Sequence, residues 1–407
     1  MAVEATTRQW TEIGQAQSTR SAADHESQTS MKIALFLCLM LLLPGCRNEP
    51  ASPPPVESNW TAMGTFATVA LPSAERSRLE QADAIARRAI AEVEAEISTF
   101  MPASPVSQLN QTAGSGENIP LPPHLVAVFD LSQSAFSASS GAFDPTVGPL
   151  MQVWGFRSSS APIRLPADEL LQAAASIVGW DKIVRSGDLA RLARPDMRLD
   201  FGAVGKGYGV DVAFARLQAA GWQDLMVNLG GNLRCSGAAR PGRHGWLVAV
   251  RDPFLPYGRG SVGTLPLSDG LATATSGRYE KYVEIGGRRY AHIIDPRNGQ
   301  PVAGMAQVTV VARTAAEADV LSTSLFVLGI GEGCAMLRQY PGSMALFVPD
   351  APEGAEPQAF ATAEFAALLQ VDQLWRGRVS TLPPGSGGET GREGSAPGLN
   401  SSGPPRR

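Results

Sequence analysis

Three short segments carry residue types that could do chemistry. Residues 200–211 set Lys206 among Gly202, Gly205, Gly207 and Gly209, with Asp200 and Asp211 at the ends. Backbone N–H groups at a glycine-rich helix mouth point outward and attract anions, and a lysine adds a point charge. A phosphate cradle is one reading; a flexible turn that merely caps a helix is the other. In the second segment, Asp319 and Thr323 stand four apart in a helix that Thr314 opens, so both project from one face. A carboxylate and a hydroxyl are hard oxygen ligands, suited to Mg²⁺ rather than zinc, although an Asp on a helix surface beside a Thr needs no metal to explain it. The third is His292 in the run 290–294. Period-two alternation groups it with Tyr290 and Ile294 on one strand face, where an imidazole could be a general base or a structural residue. Asp295, Pro296, Asn298 and Gly299 beyond it are turn chemistry.

These residues need elements to hold them. Leu79, Ala82, Ala86, Ile90, Val93 and Ile97 recur at three- to four-residue steps with charges between them, which predicts an amphipathic helix over 75–97. A second helix follows Pro166, and a third, 210–217, opens from the glycine-rich turn. The fourth starts at Thr314, with Glu317 three residues on as in a capping box. Strands are expected at 225–229, 233–236, 246–251, 271–275, 308–312 and 344–348. A hairpin is expected where 281–285 and 290–294 flank Gly286 and Gly287. Hairpins with intervening helices argue for an α+β architecture, a mostly antiparallel sheet with helices packed on it. No strand leads into a Rossmann-type glycine motif, and residues 202–207 lack Walker A spacing.

Composition closes off other classes. The net charge of −4 provides no basic field, so nucleic acid is not an expected partner. Four histidines and four cysteines leave little room for zinc clusters. Cys235 and Cys334 read as two buried thiols rather than a disulfide. Residues 33–43 after Met31 and Lys32 are apolar and uncharged, too short to span a bilayer but matched to a signal-peptide core. The run ends in Leu43, Pro44, Gly45 and Cys46, which resembles a bacterial lipobox and makes Cys46 the expected lipidation site. The chain therefore divides into a pre-sequence (1–45, signal peptide from Met31), a proline-rich tether (46–59), one large folded unit (60–370) and a disordered tail (377–407) rich in Pro, Gly and Ser.

Taken together, Met63 to Thr65, Ser98 to Phe100 with Leu109 and Asn110, 141–150, 200–211, 228–231, 274–277, 292–301, and Ala318 with Asp319 resemble the ApbE family in order and spacing. These are the FAD:protein FMN transferases. The resemblance implies an ApbE-like fold, FAD as substrate, Mg²⁺ as cofactor, and transfer of FMN to a Ser or Thr hydroxyl of an acceptor protein with release of AMP. It also implies that the Asp319 carboxylate, the Thr323 hydroxyl and the Ala203 carbonyl hold the metal. Met63, Phe100, Ala142, Phe143, Asp144, Asp200, Lys206 and Ile293 would contact FAD, with Lys206 assisting catalysis and His292 taking the acceptor's proton. Phe100 stands where the family often has Tyr, Asn232 where it often has Asp, and Arg278 where an acidic residue is common. The implied partners are a subunit of a membrane electron-transfer complex and, through the lipid anchor, the membrane. The implied location is the periplasmic side of the bacterial cytoplasmic membrane. A FAD pyrophosphatase releasing free FMN, or a non-enzymatic periplasmic flavin-binding protein, are the alternatives.

Overall fold

The computed structural model describes residues 53–157, 164–240, 242, 244–352 and 354–383. Cys46, the signal segment, most of the tether and most of the tail lie outside the described residues. A nine-stranded sheet takes its strands in chain order: Val56–Ala62, Thr65–Leu71, Leu225–Leu229, Asn232–Ser236, Ala272–Gly277, Met305–Ala312, Met344–Pro349, Ala359–Ala361 and Val379–Thr381. Each neighbouring pair is antiparallel except the last, which is parallel. The α+β expectation therefore holds. The sheet begins at Val56, inside the stretch expected to be tether, and its last strand lies inside the expected tail. Both stretches are poor in apolar residues and lie near proline-rich sequence, but an edge strand needs little apolar sequence of its own once a sheet is there to pair with.

Met305–Ala312 is buried at every position, which means both sheet faces are covered. Val308, Val310 and Ala312 pack with Leu321, Leu325 and Phe326 of the long helix Ala315–Leu337. Val311 packs on the other face with Trp246, Leu265 and Phe365, over a second, three-stranded sheet built from Trp246–Arg251, Ser261–Leu267 and Gln370–Val371. Helices Leu79–Ile97 and Gly205–Ala219 cover the first half of the main sheet through Ala86, Ile90, Val210, Phe214, Val227 and Leu229. The apolar residues that predicted the first helix are the ones it buries, Leu79 partly. Cys235 is a buried thiol in the second sheet's cluster, while Cys334 is half-buried in the long helix's cluster.

Two further differences from expectation bear on the site. The third helix starts at Gly205, five residues early, so the glycines form its first turn. Glycine is a poor helix former, but Gly207 has no room for a side chain: a Cβ there would stand 2.2 Å from the Ala315 carbonyl oxygen. Close approach of two helices outweighs propensity. The strand expected over 290–294 ends at Ala291, because the chain must bend at His292 before Ile294 and Asp295 can pair with Gln300 and Pro301. His292 therefore shares no strand face with Tyr290 and Ile294.

Candidate active site

The first turns of helices Gly205–Ala219 and Ala315–Leu337 lie against each other, and their aspartates cross between them. Asp319 Oδ2 accepts the Gly207 N–H at 3.0 Å. Asp211 accepts from Ala315 N at 2.9 Å and Ala316 N at 2.8 Å. Each carboxylate thus satisfies N–H groups that the other helix cannot pair internally. Thr314 completes the cap of the long helix by accepting from Glu317 N at 3.1 Å, as the capping-box spacing predicted. Glu317 itself does not return the bond but accepts from the Ser343 hydroxyl.

Lys206 Nζ lies 3.6 Å from Asp319 Oδ1 and donates to the Gly202 carbonyl at 2.7 Å. Asp319 is 4% exposed. Burial pushes its carboxyl up from the usual carboxylate range, opposed by Lys206 and the Gly207 N–H. Thr323, one turn along the same helix, shares a 3.2 Å hydroxyl contact with Ser276, which also meets Ser322 at 3.0 Å. The strand Ala272–Gly277 thereby joins the helix junction. Ala203 lies in the Gly202–Val204 turn that leads into the first helix.

Met63 and Gly64 form the two-residue turn between the first two strands, both with positive φ (49° and 71°), the type I′ pattern. Methionine is a rare choice for that conformation. The turn carries its side chain over the helix mouth, where Cβ atoms on Gly205 and Gly209 would each meet Met63 at 3.5 Å. Asn110 clamps the Leu199 peptide from both sides, at 2.7 and 3.1 Å, and so fixes the backbone beside Asp200. Asp200 accepts the Gly202 N–H at 2.8 Å and pairs with Arg157. The Arg157 guanidinium also lies 4.9 Å over the ring of Phe100, a residue that is 80% exposed. An exposed aromatic ring backed by a cation is a surface on which a flat heterocycle can stack.

His292 is half-buried at the end of the hairpin Tyr282–Ile285/Arg288–Ala291. Its Nδ1 lies 3.0 Å from the Lys281 carbonyl. A carbonyl only accepts, so Nδ1 carries the proton and Nε2 keeps its lone pair. Desolvation, with Lys281 and Lys206 nearby, pushes this imidazole down to about 4. Glu280 stands on the same stretch of chain. Desolvation and the Asp319 charge, opposed by Lys206, push its carboxyl up to about 7. Glu280 itself is exposed to solvent, so the charges of Lys206 and Asp319 reach it at a site open to water.

Other expected contacts are turned into packing. Ala142 and Phe143 are buried, Phe143 in the cluster around Phe129 and Phe201. Asp144 is occupied on both oxygens, by Thr146 N and Oγ1 at 2.8 and 2.7 Å and Trp180 N at 3.1 Å; burial raises its pKa. Its carboxylate holds a turn and is not open to a ligand. Ile293 belongs to the cluster under the long helix. The side chains at all four positions are buried. Sequence reasoning gave no role to Ser276, Asp211, Arg157 or Glu280. Ser276 and Asp211 lay inside segments already singled out; Arg157 and Glu280 carry no local signal.

Residues 63–348 match the ApbE family. The chain is 30% identical over 357 residues to the FAD:protein FMN transferase of Rhodobacter capsulatus, which covers 86% of this chain and 65% of that protein. It is 33% identical over 304 residues to the FAD:protein FMN transferase of Vibrio cholerae, covering 74% of this chain and 88% of that one. Among solved structures, the flavin transferase ApbE from Vibrio cholerae superposes with a TM-score of 0.67 at 29% identity, covering 78% of this chain and 100% of that chain. The apo form of Pseudomonas stutzeri flavinyl transferase ApbE also gives 0.67, at 30% identity, covering 77% and 96%. The chain belongs to the ApbE family.

Proposed function

We propose that this chain is a Mg²⁺-dependent FAD:protein FMN transferase, joining FMN to a Ser or Thr hydroxyl of an acceptor protein. The observation that carries this reading is the junction of two helix N-termini holding Lys206 and the buried Asp319, in a chain whose relatives bear that name. Two helix mouths and an ammonium favour a pyrophosphate.

The residues present fit a divalent cation. Among the described residues no three His, Cys, Asp or Glu side chains cluster, so a cation beside Asp319 would draw on neutral oxygens as well. Asp319, the Thr323 hydroxyl and the Ala203 carbonyl are such a set, and Lys206 already sets a positive charge against the Asp319 carboxylate. Bound there, Mg²⁺ supplies charge neutralisation at the pyrophosphate and at the AMP leaving group.

The remaining work falls to the chain's own groups. Lys206 offsets phosphate charge at the helix mouth. Met63 roofs that mouth, and Phe100, backed by Arg157, offers a ring to an aromatic part of the nucleotide. His292 Nε2, held as an acceptor by the Lys281 carbonyl, takes the proton from the acceptor hydroxyl. That oxygen bonds to the FMN-side phosphorus, the bond from this phosphorus to the bridging oxygen breaks, and AMP departs with the bridging oxygen. Burial keeps the imidazole neutral at physiological pH, so its lone pair is free, although a pKa of about 4 makes it a weak base until a charged substrate enters.

The proposal extends to location. The apolar run ending at Cys46 supports export and a lipid anchor, which would hold the enzyme on the periplasmic side of the cytoplasmic membrane, beside membrane electron-transfer subunits as acceptors. Intact-mass analysis of a candidate acceptor co-expressed with this chain tests the reading. One added FMN is expected; free FMN with an unmodified acceptor would make the protein a FAD pyrophosphatase instead.

A further inference from the structure

Asp211 touches none of the groups assigned to FAD or Mg²⁺, yet it is the counterpart of Asp319 in the helix junction. Its two oxygens accept from Ala315 and Ala316, the first two residues of the helix that carries Asp319. Asp319 in return accepts from Gly207, the third residue of the helix that carries Asp211. Arg234 Nη1 lies 2.8 Å from Asp211 Oδ1 and donates through Nε to the Gly270 carbonyl at 2.9 Å, tying the carboxylate to the sheet. Gly207 lets the two backbones meet with no side chain between them.

We infer that Asp211 is a positioning residue for the cation site: by holding the start of the long helix, it sets where the Asp319 carboxylate stands relative to Lys206 and the 202–204 turn. Three reciprocal bonds, two to Asp211 and one to Asp319, fix both the spacing and the register of the helices, which one bond could not do. A slide of the long helix that released Ala315 and Ala316 would carry Asp319 with it. The inference rests on Asp319 being the metal-holding carboxylate.

Asp211→Asn is the informative change. An amide keeps the shape but has one accepting oxygen, so one of the two N–H groups would face an NH₂. Thr314→Ala is the control, because Thr314 caps the same helix through Glu317 and makes no bond to the other helix. FAD binding to the purified protein is followed by flavin fluorescence while MgCl₂ is titrated, and melting temperature is measured in parallel. Asp211→Asn should raise the Mg²⁺ midpoint roughly ten- to hundredfold, the range seen when a group that orients a ligand is removed. Thr314→Ala should lower the melting temperature and leave the midpoint where it is. If Asp211→Asn does not fold, Asp211→Glu keeps charge and acceptors but is one methylene too long, and should shift the midpoint in the same direction. An unchanged midpoint in the Asp211 variant that folds, or an equal shift in Thr314→Ala, overturns the inference. Wild-type FAD binding that ignores Mg²⁺ altogether would instead overturn the metal assignment beneath it.

Discussion

Lys206 and Asp319 stand near the N-termini of two helices pinned to each other, whereas Glu280 and His292 stand at the entry to and exit from a two-stranded hairpin. The first pair is framed by buried backbone: Gly207 against Ala315, Met63 over Gly205 and Gly209, and carboxylates crossing both ways. The hairpin pairs with no strand of the main sheet. An isolated two-stranded ribbon is marginal by itself, so it depends on what packs around it. Charge neutralisation needs fixed, preorganised groups, while a base that meets a protein acceptor benefits from an element that can adjust. The contrast separates the parts of the site by mechanical character as well as by role.

The largest effects should come from removing one group on each side. His292→Ala should cut flavinylation by about 10²–10⁴-fold, the usual worth of a positioned general base, with FAD affinity intact. Asp319→Ala should lose comparable activity but for the opposite reason: turnover should no longer respond to Mg²⁺, as AMP release against MgCl₂ would read. A His292→Ala enzyme that flavinylates at the wild-type rate, or an Asp319→Ala enzyme with normal Mg²⁺ dependence, would erase the division between the two sides.

Glycine substitutions sharpen it next. Gly207→Ala puts a methyl into the Ala315 backbone and should destabilise by about 1–3 kcal/mol, as overpacking does. It should also weaken the Mg²⁺ response. Gly286→Ala meets open space but holds φ at 61°, so its cost is a local one of about 1–2 kcal/mol. That change should leave the Mg²⁺ response alone. Thermal melts with and without MgCl₂ distinguish the two.

How much of this could be read from sequence follows the same division. The helix pattern from Leu79 to Ile97, the Thr314 cap and the Gly286–Gly287 hairpin are local signals, and each is found where local chemistry put it. The resemblance of eight separate segments to one family brought Lys206, Asp319 and Thr323 into one candidate site, which no single segment could. Four things stayed hidden because they depend on tertiary contact. The helix beginning at Gly205 requires its neighbour, and the Met63 turn has no turn-forming residue at its first position. Asp144 looks like a ligand-facing acid until Thr146 and Trp180 are folded around it. Glu280 gains its character only from distant Lys206 and Asp319.

The smallest expected effect concerns proton linkage on the hairpin side, and its sign can be worked out. His292 is pushed down to about 4 from an ordinary 6.5. Between those values the unfolded chain binds more protons, so stability rises with pH across that window and is lost as pH falls toward 4. Glu280 moves the other way, up to about 7 from 4.5. Between these values the folded chain binds more protons, so stability falls as pH rises toward 7. The windows overlap from 4.5 to 6.5, where the two slopes oppose each other and the wild type should look nearly insensitive to pH. Glu280→Gln removes one slope and should expose the other: denaturation midpoints that climb from pH 4.5 to 6.5, and greater stability than wild type at pH 8. Asp319 and Lys206 both act on Glu280, so removing its charge should also move the Mg²⁺ midpoint at pH 8. A Glu280→Gln protein with wild-type pH dependence would mean that Glu280 titrates like any surface carboxylate and has no part in the proton linkage beside His292.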